Sequence, residues 1–333
     1  MQRLSGRNRK LLLAAGALAA AYFVVRSKAQ QAERDHPPAG RFVTVNGVKL
    51  HYLEKGSGPV IVLLHGNGAT SDDFRLSGLI DALAYEHRVI AFDRPGFGYS
   101  ERPRGTIWTP EAQAGLLAEA LRQLGVAQAV VLGHSWGTMV ALAMGLDYPG
   151  LARGLVLLSG YYYPSVRMDV ALLTGPAIPV IGDVMSHTVS PLLGRLLWPG
   201  FVKRVFSPRP VDAAFRRWPK WISLRPSQVR AEAAETALMI PSAAQLHQRY
   251  PELTMPVAIF TGDGDKINHA GHHALRLHRE LLQSELHTVP DTGHMVHYAA
   301  QDEIVSAVRK IVERRPGLDF PQAAQPDPPR TLH

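Results

Sequence analysis

The chain has 333 residues, a formal net charge of +8 and no cysteine. Its length allows one large α/β domain or two smaller domains, each with a sizeable core. The absence of cysteine excludes disulfides, Cys-ligated zinc and a thiol nucleophile.

The positive charge lies mainly in two parts of the chain. Residues 1–40 carry seven basic and two acidic side chains, and residues 164–255 carry eleven and six. A nucleic-acid-binding protein needs a basic face on a recognisable module, and the sequence shows no such module. We therefore predict no nucleic-acid partner, and a membrane surface suits the basic N-terminal segment better.

The first 28 residues contain an uncharged stretch, residues 11–25, with arginine and lysine on both sides. At 1.5 Å per residue it spans about 22 Å, less than the roughly 30 Å of a hydrocarbon core. Flanking basic side chains can reach the interface and offset part of the difference. We predict that residues 1–28 form an uncleaved membrane anchor, with the remainder exported. The alternatives are a cleaved signal peptide, which gives a secreted or periplasmic protein, and a soluble amphipathic helix.

Beyond a polar, proline-rich segment, residues 29–40, that we predict to be a linker, strands and helices alternate. Asn46-Gly47 lies between two alternating stretches and predicts a hairpin. The apolar runs 59–66 and 87–96 are typical of strands buried on both faces. Further patterns predict helices at 71–84, 110–124 and 136–148, and strands at 129–133 and 154–159.

The alternation stops at about residue 161 and resumes at about residue 255. Residues 161–254 are rich in proline, tryptophan and arginine, with helical stretches such as 227–239. The second part of the core, residues 255–315, begins with a strand and has another strand at 286–290. Helices are predicted at 269–283 and 301–314. The tail, residues 316–333, is predicted to be disordered. The pattern predicts a core (41–160 and 255–315) built on a mostly parallel, doubly wound sheet, with a mainly helical lid inserted before the penultimate strand.

The sequence Gly-His-Ser-Trp-Gly, residues 133–137, stands between a predicted strand and a predicted helix. Such a Gly-x-Ser-x-Gly turn holds a nucleophilic serine in a strained conformation. Side chains two residues before and after the serine would collide, which explains Gly133 and Gly137. Ser135 is the candidate nucleophile, and the N-terminus of the next helix favours developing negative charge.

A serine nucleophile needs a base and an acid that orients the base. His294 follows the last predicted strand, and His297 is a less favoured neighbour that we assign to packing or solvent. Two aspartates, Asp263 and Asp265, follow the penultimate strand. The order serine, aspartate, histidine is that of an α/β-hydrolase.

On these residues, positions 41–314 resemble the lid-bearing branch of the α/β-hydrolase superfamily. The sequence LLHGNG, residues 63–68, resembles the family's oxyanion loop, and FDRPGFGYS, residues 92–100, a further family turn. The resemblance implies that the backbone N–H groups of Asn67 and Trp136 stabilise the oxyanion. The family's Gly-x-x-Asp spacing selects Asp265 over Asp263, and the implied triad is Ser135, Asp265 and His294.

Family members that attack an alkyl carbon carry aspartate at the elbow, so Ser135 predicts acyl transfer instead. We expect a serine hydrolase of carboxylic esters, resembling carboxylesterases and lipases, that needs no metal or organic cofactor. The alternatives are a carbon–carbon bond hydrolase, a proline-iminopeptidase-like aminopeptidase or amidase, a perhydrolase-type haloperoxidase, and a non-catalytic binding protein of this fold.

Two further patterns bear on partners. His269 and His273 are four residues apart and could share a helix face as metal ligands, but a solvated helix start is the favoured interpretation. Residues 215–221, FRRWPKW, suit either a membrane-facing surface or packing of the lid on the core. With the basic N-terminus, they suggest an apolar acyl substrate handled near lipid.

Overall fold

An eight-stranded sheet organises the chain in the computed structural model, which describes residues 6–165 and 174–314. The strands are β1 (Arg41–Val45), β2 (Val48–Lys55), β3 (Val60–Leu64), β4 (Arg88–Phe92), β5 (Ala129–His134), β6 (Ala152–Leu158), β7 (Val257–Gly262) and β8 (Ser284–Val289).

The strand order is β1-β2-β4-β3-β5-β6-β7-β8, which confirms the predicted doubly wound sheet. Strand β2 pairs antiparallel with β1 and β4, and all other neighbouring pairs are parallel. The β1–β2 hairpin turns at Asn46 and Gly47, whose φ angles are 50° and 80°. Positive φ at both positions is what a two-residue hairpin requires, so the Asn-Gly prediction is confirmed.

The central strands are apolar throughout because both faces of the sheet are covered. In β3, Val62 and Leu64 pack into one hydrophobic cluster, and Ile61 and Leu63 pack into a second cluster on the opposite face. Successive side chains of a strand point to opposite faces, so a strand between two helical layers needs an unbroken apolar run.

Helices form the two covering layers and the inserted segment. They are α1 (Gly6–Asp35), α2 (Asp72–Leu76), α3 (Leu79–Leu83), α4 (Pro110–Gln123), α5 (Gly137–Asp147), α6 (Ile181–His187), α7 (Val189–Phe206), α8 (Lys220–Ser223), α9 (Pro226–Leu246), α10 (Ala274–Glu280) and α11 (Gln301–Glu313). Helices α4, α5 and α10 pack on one face of the sheet, and α2, α3 and α11 pack on the other. Helix α4 begins where expected: Thr109 Oγ1 accepts a hydrogen bond from Ala112 N, and proline occupies the first helical turn.

Helices α6 to α9 lie between β6 and β7, so the inserted segment is helical, as predicted. In residues 215–221, Phe215 and Trp218 are buried and stack with ring centroids 5.4 Å apart. Trp218 Nε1 also donates to Ser223 Oγ at 3.0 Å. These two aromatic rings pack inside the protein, and the basic residues between them, Arg216 and Arg217, are exposed.

The N-terminal helix continues through part of the segment expected to be a linker. Helix α1 ends at Asp35, and His36 and two prolines follow. Its last turns pack on the inserted segment: Val25 and Ala32 are buried, and Glu33 pairs with Arg225 at 2.9 Å. A polar sequence is typical of an exposed helix as well as of a linker, and the prolines set the stop. The predicted disordered tail, residues 316–333, lies outside the described residues.

Candidate active site

Ser135 stands at a sharp turn between β5 and α5. Its φ is 53°, a left-handed conformation that is rare for residues other than glycine, and its N–H donates to Leu158 O at 2.8 Å. A Cβ atom at Gly133 would lie 2.5 Å from Gly137 O, and one at Gly137 would lie 2.2 Å from Leu64 O. Both distances are far below van der Waals contact, so the turn has room only for glycine at these two positions.

The loops after β7 and β8 bring a carboxylate and a histidine to this serine. His294 Nε2 lies 2.8 Å from Ser135 Oγ, and His294 Nδ1 lies 2.8 Å from Asp265 Oδ2. An ionised carboxylate only accepts hydrogen bonds, so Nδ1 carries the proton and Nε2 is free to accept from the serine hydroxyl. Asp263 is turned elsewhere and accepts from Thr292 N at 3.3 Å.

The environment of Asp265 keeps it ionised. Burial raises the pKa of Asp265, but the electrostatic interaction and hydrogen bond with His294, together with backbone donors, hold that pKa below its ordinary value. The backbone N–H groups of Ile267 and Asn268 donate to Asp265 Oδ1 at 2.7 and 3.1 Å and lower the pKa further. A carboxylate fixed by several donors can orient a histidine and stabilise its protonated form.

Asn67 and Trp136 lie on adjacent strand ends. Strand β3, which leads to Asn67, pairs with β5 so that Leu64 is opposite Gly133. The loop passes close to the nucleophile, since a Cβ atom at Gly66 would lie 3.1 Å from Ser135 Cβ. Among the described residues, neither the Asn67 N–H nor the Trp136 N–H has a hydrogen-bond acceptor. Two unpaired donors beside a serine hydroxyl are suited to an oxyanion.

Arg94, for which the sequence predicted no role, is hydrogen-bonded to the backbone of the loop that carries Asn67. Its guanidinium donates to His65 O at 2.7 Å and to Gly66 O at 3.1 Å, and it pairs with Glu235 of α9 at 2.6 Å. Both side chains of this ion pair are fully buried. Gln113 Nε2 donates to the same carboxylate oxygen at 2.8 Å. A basic residue two positions after the end of the apolar strand β4 was the available sequence sign of this role.

Helix α9 covers the candidate oxyanion site. Trp136 Nε1 donates to Glu235 O at 3.1 Å, and Asn67 Nδ2 donates to Glu232 O at 3.2 Å and to Thr236 Oγ1 at 3.0 Å. Both residues with candidate oxyanion donors are thus bonded through their side chains to the lid. The position of α9 is therefore coupled to the geometry of the site.

Two further histidines lie buried behind His294. His134 Nε2 lies 3.1 Å from His294 O, and since a carbonyl only accepts, His134 is the donor. Burial and the neighbouring His297 and His294 hold the pKa of His134 well below its usual value. His297, which we assigned to packing or solvent, is fully buried and bonds to Asp73 Oδ2 at 3.0 Å.

Side chains that could ligate a metal occur at two places in the described chain. Asp73, His134 and His297 offer ligand atoms within 4.8 Å of one another. However, His297 and Tyr298 already bond to the two oxygens of Asp73, so a hydrogen-bonded support for the His294 loop fits the cluster better than a metal. Residues 269–273 form turns before α10 rather than a shared helix face, and His273 Nδ1 accepts from Tyr162 N at 3.2 Å.

A family model described as the alpha/beta hydrolase fold matches residues 59–300. The chain belongs to the α/β-hydrolase family.

Haloalkane dehalogenase 2 of Mycobacterium bovis is 26% identical over 291 residues, which cover 84% of this chain and 96% of the relative. The esterase EaEST of Exiguobacterium antarcticum matches with a TM-score of 0.67 and 20% identity over 83% of this chain and 100% of that chain. A membrane phospholipase A described as a bacterial virulence factor matches with a TM-score of 0.64 and 21% identity over 93% of this chain and 98% of that chain. The relatives of this chain include hydrolytic enzymes. In this α/β-hydrolase, His294 lies within hydrogen-bond distance of both Ser135 and Asp265 at the C-terminal ends of the strands.

Proposed function

We propose that this α/β-hydrolase cleaves carboxylic esters through an acyl-enzyme on Ser135. The observation that carries the proposal is the position of His294, with Nε2 2.8 Å from Ser135 Oγ and Nδ1 2.8 Å from Asp265. This arrangement activates a hydroxyl for attack on a carbonyl carbon.

In the proposed reaction, Ser135 Oγ attacks the ester carbonyl while His294 Nε2 takes the hydroxyl proton. The N–H groups of Asn67 and Trp136 stabilise the oxyanion of the tetrahedral intermediate, and each such donor is typically worth about 10²–10³ in rate. His294 then protonates the departing alcohol. A water molecule, deprotonated by the same nitrogen, attacks the acyl-enzyme and releases the acid.

The serine separates this proposal from the activity named for the haloalkane dehalogenase relative. Attack of a serine oxygen on an alkyl halide would leave an ether on Ser135, and water activated by His294 does not cleave an ether. Attack on an ester instead leaves an ester, which the same base and oxyanion donors can hydrolyse. An acyl substrate is therefore the one for which these residues complete a catalytic cycle.

We also propose that α1 anchors the enzyme in a membrane. It is the one helix in the described part of the chain that is long and apolar enough to span a bilayer. The buried Val25 and Ala32 and the Glu33–Arg225 ion pair join its C-terminal half to the lid, which favours a helix that stays attached over a cleaved signal peptide. The basic N-terminal end is placed in the cytoplasm, with the catalytic domain exported. An anchored enzyme of this kind suits an apolar acyl substrate.

A fluorophosphonate probe tests the nucleophile, and a substrate panel tests the bond. We expect the full chain in detergent to be labelled, Ser135→Ala to lose the label, and Ser57→Ala, a change at an exposed serine, to retain it. Among p-nitrophenyl esters, proline peptides and β-diketones, the esters should turn over fastest. Labelling together with turnover of only peptides or diketones would replace the ester proposal by one of the other serine hydrolase activities. Absence of labelling would favour a non-catalytic binding protein.

A further inference from the structure

Helix α7 is apolar on two opposite sides. One side, which includes Pro191, Val202 and Phe206, is buried in the protein. The other side is exposed, and its apolar residues recur at helical spacing: Val189, Leu193, Leu196, Leu197 and Phe201. A helix with apolar residues all round is normally covered on every side, so the exposed side of α7 lacks a partner within the described chain.

The exposed apolar surface continues into the segment before α7. We define the apolar lid face as Ile178, Val180, Ile181, Val184, Val189, Leu193, Leu196, Leu197 and Phe201. These nine exposed residues fall within 24 positions. Outside this face and α1, the described part of the chain exposes only five other large apolar side chains, and they are scattered. Concentration of this kind is typical of a surface that binds a membrane or another protein.

Helix α1, the proposed membrane anchor, lies beside this face. The Tyr22 ring stacks on the ring of His187, where α6 ends, with centroids 6.3 Å apart. Tyr22 belongs to the uncharged stretch 11–25, and the neighbouring Phe23 and Val24 are exposed. A bilayer that surrounds this stretch therefore reaches the level of the α6–α7 junction. Residues of the apolar lid face lie on both sides of that junction, with Val184 before it and Val189 after it.

We propose that the apolar lid face docks on the outer leaflet of the same bilayer that α1 crosses. The occupant is lipid: acyl chains cover the apolar side chains, and phosphate headgroups meet the exposed Lys203 and Arg204 near the end of the helix. The one acidic residue between positions 178 and 209, Asp183, is paired with Arg104 and Arg230, so it leaves little unpaired negative charge to oppose lipid phosphates.

This docking connects the lipid to the proposed active site. Val205, in the last turn of α7, accepts a hydrogen bond from the backbone N–H of His294 at 2.8 Å. Phe201 of the apolar lid face lies four residues earlier, about one helical turn or roughly 6 Å along the axis. The inference rests on the proposed function for its substrate: an ester dissolved in the bilayer would reach Ser135 from the lipid side rather than from water.

The cysteine-free sequence allows a direct test with the full chain. Nitroxides are attached at Leu196→Cys on the face, at Leu18→Cys in α1 and at Leu282→Cys, whose native side chain is 91% exposed on the hydrolase core. The protein is reconstituted in phosphatidylcholine–phosphatidylglycerol vesicles. Collisions with oxygen, which partitions into lipid, are compared with collisions with a water-soluble nickel chelate.

We expect oxygen collisions to dominate at positions 18 and 196 and nickel collisions to dominate at position 282. Nickel dominance at position 196 would overturn the docking, and so would nickel dominance at position 18, because the bilayer would then lie elsewhere. Low collision with both reagents at position 196 would indicate a second copy over the face and would also overturn it. None of these readings depends on ester hydrolysis, so failure of the proposed function is seen separately.

A second variant measures the consequence for activity. Leu196→Glu/Leu197→Glu should lower hydrolysis of a long-chain ester presented in vesicles at least tenfold and leave hydrolysis of a short soluble ester within twofold. Leu282→Glu should change neither rate. An equal fall on both esters, or no fall on the vesicle ester, would contradict delivery from the lipid side.

Discussion

The backbone N–H of His294 donates a hydrogen bond to the carbonyl oxygen of Val205 at 2.8 Å. The proposed base is thus tied by its main chain to lid helix α7 and by its ring to Asp265. The packing is tight here, since a Cβ atom at Gly293 would lie 2.3 Å from Ser207 O. Movement of the C-terminal end of α7 would therefore break this hydrogen bond or shift the loop that carries the proposed base.

Asp265→Asn should remove most of the activity. An amide cannot stabilise the imidazolium of His294 as a carboxylate does, and we expect kcat to fall by about 10³–10⁴-fold. Asp263→Asn is the matched control, because the hydrogen bond described for the Asp263 carboxylate comes from Thr292 N and not from His294, and this change should cost less than about threefold. Steady-state kinetics on a soluble ester measure both values, and equal losses would remove Asp265 from its proposed role.

Gly133→Ala should prevent the elbow from forming. The added methyl group would lie 2.5 Å from Gly137 O, and the contacted atom is backbone that cannot turn aside. We expect a loss of at least about 3 kcal/mol in the free energy of unfolding. Gly150→Ala, whose methyl group meets no atom within 4 Å, is the control. Thermal unfolding in detergent compares the two, and a wild-type melting temperature for Gly133→Ala would refute the steric account of the turn.

Glu235→Ala should be strongly destabilising because it leaves Arg94 charged and unpaired in the interior. Loss of one partner of a buried pair costs about 3–5 kcal/mol. The double variant Arg94→Met/Glu235→Leu should recover part of this loss, since it removes both charges of the pair but leaves Arg102, which lies 3.6 Å from Glu235 Oε1 in the wild type. Glu86→Ala breaks the exposed pair with Arg309 and should cost less than about 1 kcal/mol. Urea unfolding provides the values, and similar losses for Glu235→Ala and Glu86→Ala would contradict this prediction.

Glu232→Gln should change how stability depends on pH. Burial, with a smaller effect of the nearby Glu235, raises the pKa of Glu232 from 4.5 to about 7. Between these values the folded protein holds a proton that the unfolded chain has released, so this carboxyl lowers stability as pH rises. The glutamine variant should therefore gain up to about 3 kcal/mol relative to wild type between pH 4.5 and pH 8.

Urea unfolding at pH 4.5, 6 and 8 measures this difference, with the exposed Glu303→Gln as control. The Glu303→Gln curve should stay parallel to that of wild type. If the free energy of unfolding of Glu232→Gln depends on pH just as that of wild type does, the environment of Glu232 does not raise its pKa.

Local pattern predicted much of this protein. Strand runs such as residues 59–66 are apolar throughout because both faces are covered, and the glycines at 133 and 137 follow from a steric requirement that is local in sequence. The order of Ser135, Asp265 and His294, each after a strand, could be read because parallel strands bring such ends together. Asn67 and Trp136, and the choice of Asp265 over Asp263, came instead from the resemblance to the α/β-hydrolase family.

Pairings between distant segments could not be predicted in this way. Arg94 and Glu235 are 141 positions apart, and nothing in either local sequence specifies the partner. The two apolar sides of α7 likewise lack the polar–apolar contrast from which a buried face is inferred. His297, expected to pack or to face solvent, is packed in the interior, but its hydrogen bond to Asp73 could not be predicted because the two residues are 224 positions apart.

The contacts of α1 with the lid have a practical consequence for anyone who shortens the chain to obtain a soluble enzyme. Removal of residues 1–40 would delete Val25 and Ala32 from the packing and leave Arg225 without Glu33. The part of the lid that α1 covers would then be exposed to solvent. Rates and substrate preferences measured on such a fragment would therefore report on a lid that lacks its contacts with α1, even if the triad itself were undisturbed.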